Sequence, residues 1–241
     1  MKYLICNLKA TQLKNEAIIY EQKLNDLVVN PEIELIVCPS TLFLCYFNNP
    51  KYKLGTQDIS RYNLGPHTGE NTAEQLASLN VKYALVGHSE RRKLFKEEES
   101  VIIDKIKKAY HNHIRPIYFI GEKNEEKTSV NEVLKKQLQN IIDEVPDYKR
   151  EKMLIVYEPV WAIGTGDTPD NEEISTRITL IKEIIKNNYN INLPVLYGGS
   201  VNELNIDDLC HIKELDGLVI GESSLDIQEL SKIYKKMSNI I

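Results

Sequence analysis

An α/β fold is predicted by three observations, and its eight parallel strands are expected to close into a (β/α)8 barrel ringed by helices. Short apolar runs recur along the whole 241-residue chain, helical periodicity fills most gaps between them, and chemically able residues sit just after the runs. Short buried strands alternating with helices imply parallel pairing through right-handed crossovers. Eight such units close naturally into a barrel.

Taken in order, the runs cover residues 3–6, 35–38, 52–55, 83–86, 117–120, 154–157, 195–197 and 218–220. Helical spacing is clearest in "SVIIDKIKKAYHN" (100–112) and "NEEISTRITLIKEIIKNN" (171–188), where Ile174, Ile178, Ile181 and Ile185 share one face. An open doubly wound sheet is the alternative, but no G-x-G-x-x-G follows the first run, where its dinucleotide version needs one. No linker-like or low-complexity segment divides the chain, so one catalytic domain over residues 1–241 is expected.

Composition narrows the function classes. The apolar share of 42% and charged share of 27% are ordinary for a globular protein. A net charge of -5 gives no basic footprint for nucleic acid, so an anionic ligand needs a local positive site. Cys6, Cys38, Cys45 and Cys210 form no C-x-x-C pair; three fall in or near apolar runs and read as reduced core thiols. "MKYLICNLKA" lacks the apolar stretch of a signal peptide, and no run of 18 apolar residues exists. A cytoplasmic protein without membrane contact is expected.

In such a barrel, functional residues lie at the carboxyl ends of the strands. Asn7 and Lys9 follow the first run, His88 and Glu90 the fourth, and Glu158 the sixth. "YGGS" after the seventh and "IGES" after the eighth are glycine-rich turns of the kind that hold phosphate through backbone N–H groups. Each alone has an ordinary structural reading: a packed histidine, a solvated lysine, a tight turn. Their recurrence at one end of different strands is what favours chemistry. His111 and His113 sit at a helix end and read as solvated, and "ERRK" (90–93) reads as ion-paired surface. No His/Asp or Cys/His spacing suggests a metal, and "GHSER" lacks the serine-hydrolase elbow.

Eight stretches together resemble the triosephosphate isomerase family: "NLK" (7–9), "GTQD" (55–58), "TGE" (68–70), "GHSERR" (87–92), "IGE" (120–122), "YEPVWAIGTG" (157–166), "YGGSV" (197–201) and "DGLVIGESSL" (216–225). They stand in family order at nearly family spacing. The resemblance implies a TIM barrel interconverting dihydroxyacetone phosphate and D-glyceraldehyde 3-phosphate, in glycolysis and gluconeogenesis, with no cofactor and no metal. By motif, Glu158 is the base that shuttles a proton, and His88 is the neutral electrophile that polarises the carbonyl. Lys9 supplies positive charge and Asn7 a donor. Backbone N–H groups of Gly164, Gly221 and Glu222, with Ser200, hold the phosphate, and Glu90 supports Lys9. Pro159, Val160, Trp161, Ala162, Ile163, Gly164, Thr165 and Gly166 form a lid whose apolar residues cover Glu158 and exclude water.

The chain departs from the family in places. Leu8 stands where Trp is usual, Phe119 where Cys is usual, and Glu222 where glycine is common; Glu222 is expected to point to solvent. Asp167 replaces a common Lys. A gapless reading puts Pro169 where an Ala commonly gives its N–H to the tyrosine matching Tyr197 when the lid closes. Proline has no N–H to give. The family's dimer implies a homodimer in which Thr68 enters the neighbouring subunit, with His67 where an apolar residue is common. Two other readings stay open on the residues: a different phosphosugar barrel, for which no Schiff-base lysine or metal cluster is visible, and an idle phosphate-binding barrel. Intact Asn7, Lys9, His88 and Glu158 speak against the idle barrel.

Overall fold

The computed structural model describes residues 1–163 and 168–241. Eight parallel strands follow one another around a closed barrel: β1 (Lys2–Asn7), β2 (Ile33–Cys38), β3 (Lys53–Thr56), β4 (Tyr83–Val86), β5 (Arg115–Ile120), β6 (Leu154–Tyr157), β7 (Val195–Gly198) and β8 (Gly217–Ile220). Closure is made by β1 and β8, which pair from Tyr3 with Gly217 to Cys6 with Ile220. The helices, in chain order, are α1 (Lys14–Leu24), α2 (Ala73–Ser78), α3 (Ser89–Leu94), α4 (Glu99–His111), α5 (Val130–Ile142), α6 (Asp147–Arg150), α7 (Asn171–Tyr189), α8 (Ile206–Cys210) and α9 (Ile227–Ile240).

Each strand is buried on both faces, which is why it reads as a continuous apolar run instead of an alternation. Tyr3, Ile5, Ile36, Leu85, Ile117, Phe119, Val156 and Val219 belong to a cluster that fills the barrel interior. Their neighbours in the strands, such as Leu4, Cys6, Val37 and Ile155, belong to the larger cluster under the helices. Ile174, Ile178, Ile181 and Ile185 of α7 lie in that outer cluster, as their spacing predicts.

Two sequence readings need correction. Cys6 and Cys38 are buried, but Cys45 is exposed and Cys210 only half-buried. Residues 41–46 form a 3-10 turn in which Leu44 alone is buried, which leaves Cys45 facing solvent. The third strand begins one residue later than its apolar run, because Tyr52 packs against Phe47 outside the ladder, at a ring distance of 6.4 Å.

Candidate active site

Asn7 closes β1, still paired in register with Cys38 of β2. Two residues on, Lys9 takes a left-handed conformation, φ 49°, which a side chain beyond glycine rarely adopts. Two hydrogen bonds hold it there, and a third anchors one of the partners. The Lys9 N–H donates to Asn7 Oδ1 at 3.2 Å. The Gln57 amide donates to the Lys9 carbonyl at 2.7 Å and to the Cys38 carbonyl at 2.9 Å. So placed, the Lys9 ammonium donates to Glu90 Oε1 at 2.6 Å.

After β4, His88 caps the first turn of α3. Its Nδ1 accepts the Glu90 N–H at 3.2 Å. Accepting an N–H needs a lone pair at Nδ1, which leaves Nε2 to carry the proton of a neutral ring. Phe119 of β5 meets that ring edge-on, with centroids 4.9 Å apart. The residue that departs from the family thus packs beside the imidazole. Nε2 stands 3.4 Å from Glu158 Oε1.

Glu158 follows β6 and is 4% exposed. A buried carboxylate must have donors, and Ser89 provides two: its backbone N–H to Oε2 and its hydroxyl to Oε1, each at 2.9 Å. The main chain at Glu158 is fixed by its N–H, which donates to the Ile120 carbonyl at 2.8 Å. That close approach of the ends of β5 and β6 requires glycine at 121, where any Cβ would overlap the Glu158 carbonyl.

Across the barrel, Tyr197 lies under Gly199, and a Cβ at 199 would overlap its hydroxyl. Burial pushes the Tyr197 phenol well above its ordinary range, and Glu173 adds to the rise. The Ser200 carbonyl accepts from the Asn205 amide at 2.8 Å. At the end of β8, a Cβ on Gly221 would come within 3.2 Å of Lys9 Cε, so this turn adjoins the cation. Asn7, Lys9, His88 and Glu158 all line one cleft of about 530 Å³, and Ser200, Gly221 and Glu222 line it too. Glu222 is exposed at that cleft.

Of the residues read as a lid, Pro159 is buried, and Val160–Ala162 form one 3-10 turn that leads to Ile163. Ala162 and Ile163 line the same cleft. Gly164, Thr165, Gly166 and Asp167 lie outside the described residues. Pro169 is buried, and Asp170 beside it caps α7 by accepting the Glu173 N–H at 2.8 Å. Leu8 is buried in the outer core, a packing role. Thr68 is exposed in a loop braced by the stacking of His67 on Tyr62 at 4.2 Å.

Sequence reasoning missed four residues that build this site: Ser89, Gln57, Gly121 and Glu122. Glu122 is fully buried and takes hydrogen bonds from the Tyr157 hydroxyl at 3.0 Å and the Trp161 indole at 2.9 Å. Burial pushes the Tyr157 phenol upward and Glu122 adds to it, so Tyr157 stays a donor. The only advance signal was that all four lie in or beside motifs whose other members carry the chemistry. Among the described residues, no group of three His, Cys, Asp or Glu could hold a metal ion. No described helix is long and apolar enough to cross a membrane.

A carboxylate, a histidine, a cation and two glycine-rich turns thus face one cleft, the set needed to move a proton beside a carbonyl on a phosphorylated substrate. The comparisons agree. A family model described as triosephosphate isomerase matches residues 2–237. The triosephosphate isomerase of Ureaplasma parvum serovar 3 is 40% identical over 246 residues, covering 98% of this chain and 99% of the relative. That of Mycoplasmopsis agalactiae is 42% identical over 211 residues, 84% of this chain and 79% of the relative. That of Alkaliphilus oremlandii is 34% identical over 233 residues, 92% and 94% of the two chains. On sequence match, barrel and site together, this chain belongs to the triosephosphate isomerase family.

Proposed function

We propose that the chain is an aldose–ketose isomerase that interconverts dihydroxyacetone phosphate and D-glyceraldehyde 3-phosphate through an enediolate. One observation carries this reading: His88 Nε2 lies 3.4 Å from the Glu158 carboxylate while Nδ1 is occupied by the Glu90 N–H. A base and a neutral hydrogen-bond donor therefore stand side by side in one cleft, which is the arrangement that enolisation needs.

Glu158 removes the proton from the carbon next to the carbonyl and returns it to the neighbouring carbon. Negative charge builds on oxygen as the proton leaves. His88 donates from Nε2 to that oxygen, with Lys9 and Asn7 adding charge and a further donor. Positioned proton transfer is worth roughly 10²–10⁴ in rate, and each donor to the oxyanion about 3–4 kcal/mol. The N–H groups of Gly221, Glu222 and Gly164, with Ser200, hold the phosphate. Its binding is the remote handle that draws the lid, residues 159–166, over the cleft. Closure lays Ile163 over the reacting atoms and excludes water, which limits loss of phosphate from the enediolate.

The same reading makes residues 1–241 one catalytic domain, working in the cytoplasm in glycolysis and gluconeogenesis. It also makes the protein a homodimer through the Thr68 loop, whose exposed Leu64 is suited to burial against a second copy. Sedimentation at micromolar concentration is expected to show a species twice the 27.7 kDa chain mass; a monomer alone refutes the dimer.

The test of the activity is a coupled assay with glyceraldehyde 3-phosphate on this protein and on Glu158→Asp. The shorter side chain keeps the charge but withdraws the base by one methylene, a displacement expected to cost about 10²-fold in kcat. A native protein that folds but does not turn over would sink the reading.

A further inference from the structure

Three residues beyond Glu158 stands Trp161, the single tryptophan of the chain, and it is held from two sides. Its indole N–H donates to Glu122 Oε1 at 2.9 Å. Over its face sits the Lys127 ammonium, 3.3 Å from the ring centroid. The main chain is fastened as well, since the Val160 N–H donates to the Glu122 carbonyl at 3.1 Å. Glu122 is fully buried, and its Oε2 has no partner among the described residues. Trp161 thus lies between a buried carboxylate at its edge and a cation on its face, and both charges act on one polarisable ring.

We propose that Lys127 is a positioning residue for the reaction: it clamps Trp161 against Glu122 and so holds the lid in its resting arrangement. This rests on the lid reading above. The link to the base is mechanical. Pro159 fixes its own φ at -64°, and a single 3-10 turn follows, so Trp161 and Glu158 are joined by a short stiff segment. In the same arrangement Glu158 is docked on Ser89 by two hydrogen bonds. Releasing the indole from the cation therefore frees the segment that carries the base. A ligand that draws the lid shut must break this contact, and the apparent affinity falls by the share of molecules the clamp holds back.

The experiment compares the full chain with Lys127→Met, which keeps the stem and removes the charge, and with Lys127→Arg, which keeps both. Because Trp161 is the only tryptophan, its fluorescence reads the clamp directly. In ligand-free Lys127→Met, acrylamide quenching is expected to rise about twofold as the ring face is uncovered. KM for glyceraldehyde 3-phosphate is expected to fall about two- to fivefold, with kcat falling alongside as product leaves more slowly. Lys127→Arg should restore both. Unchanged quenching and kinetics in Lys127→Met, or a KM that rises, would overturn the proposal. Quenching needs no substrate, so an inactive native chain would refute the isomerase reading while the clamp is still decided.

Discussion

At the amino-terminal end of the strands, Arg115 of β5 reaches across the barrel axis. It donates to the Tyr3 hydroxyl at 3.1 Å, the Tyr83 hydroxyl at 3.5 Å and the Lys152 carbonyl at 2.6 Å. Its guanidinium also lies 5.4 Å from the centroid of Tyr3, and Tyr83 in turn bonds Glu34. At the carboxyl-terminal end some polar groups stay partly open to a cleft. His88 Nε2 has a 3.4 Å approach to Glu158, and Lys9 shares Glu90 while about a third of its side chain stays open. The same eight strands thus end in a plug of side chains below and in a cleft lined by a histidine, a carboxylate and a cation above. A group whose partners are other side chains of the plug offers little to a substrate, so stability and chemistry are placed at opposite ends.

Gly121→Ala should break this division most severely. The residue is pinned by Gln137, whose Oε1 accepts the Gly121 N–H at 2.9 Å and whose amide donates to the Gly121 carbonyl at 3.0 Å. It has no room to retreat from Glu158, so the added methyl pushes the base out of place. A misplacement near 1 Å costs on the order of 10² in rate, and overpacking costs about 1–3 kcal/mol of stability. Steady-state kinetics with thermal melts will show both losses. An alanine variant with native kcat would mean that Gly121 does not set the position of Glu158.

Arg115→Met probes the other end, where only stability should move. Two buried phenols lose their shared donor, at a cost of about 1–3 kcal/mol. For a chain of this length that lowers Tm by about 2–12 °C. kcat and KM are expected to stay within about twofold of native. A loss of activity at unchanged Tm would overturn the contrast between the two ends.

How far all this could be read in advance follows the same physics. β4 and β6 coincide with their apolar runs, because both faces are buried and no polar residue interrupts them. β1 runs one residue further at each end, since Lys2 and Asn7 join the ladder through their backbones whatever their side chains are. In the site, His88, Glu158, Lys9 and Asn7 were legible because strand ends locate them. Ser89 was not, because its work is a contact with a residue 69 positions away. Gln57 acts on two backbone carbonyls, and Gly121 acts by leaving space. Such roles appear only when segments meet. Cys45 shows the converse: an apolar neighbourhood in sequence does not make a residue core where the chain only turns.

The smallest expected effect, Pro169→Ala, sharpens the comparison within the upper face. Asp170, next to Pro169, caps α7 through the Glu173 N–H, which sets the helix start. If closure in this chain lacks a latch from residue 169 to Tyr197, alanine supplies the missing N–H. One hydrogen bond is worth about 1 kcal/mol net, so KM should fall about three- to fivefold. The stability change should run the other way. Proline at a compatible position restricts the unfolded chain, and its loss costs about 0.4–1 kcal/mol. A tighter KM with a slightly lower Tm is the paired outcome that a new latch predicts. A lower Tm with unchanged KM would mean that a neighbouring N–H already closes the lid, and that Pro169 serves the fold in the way Arg115 does.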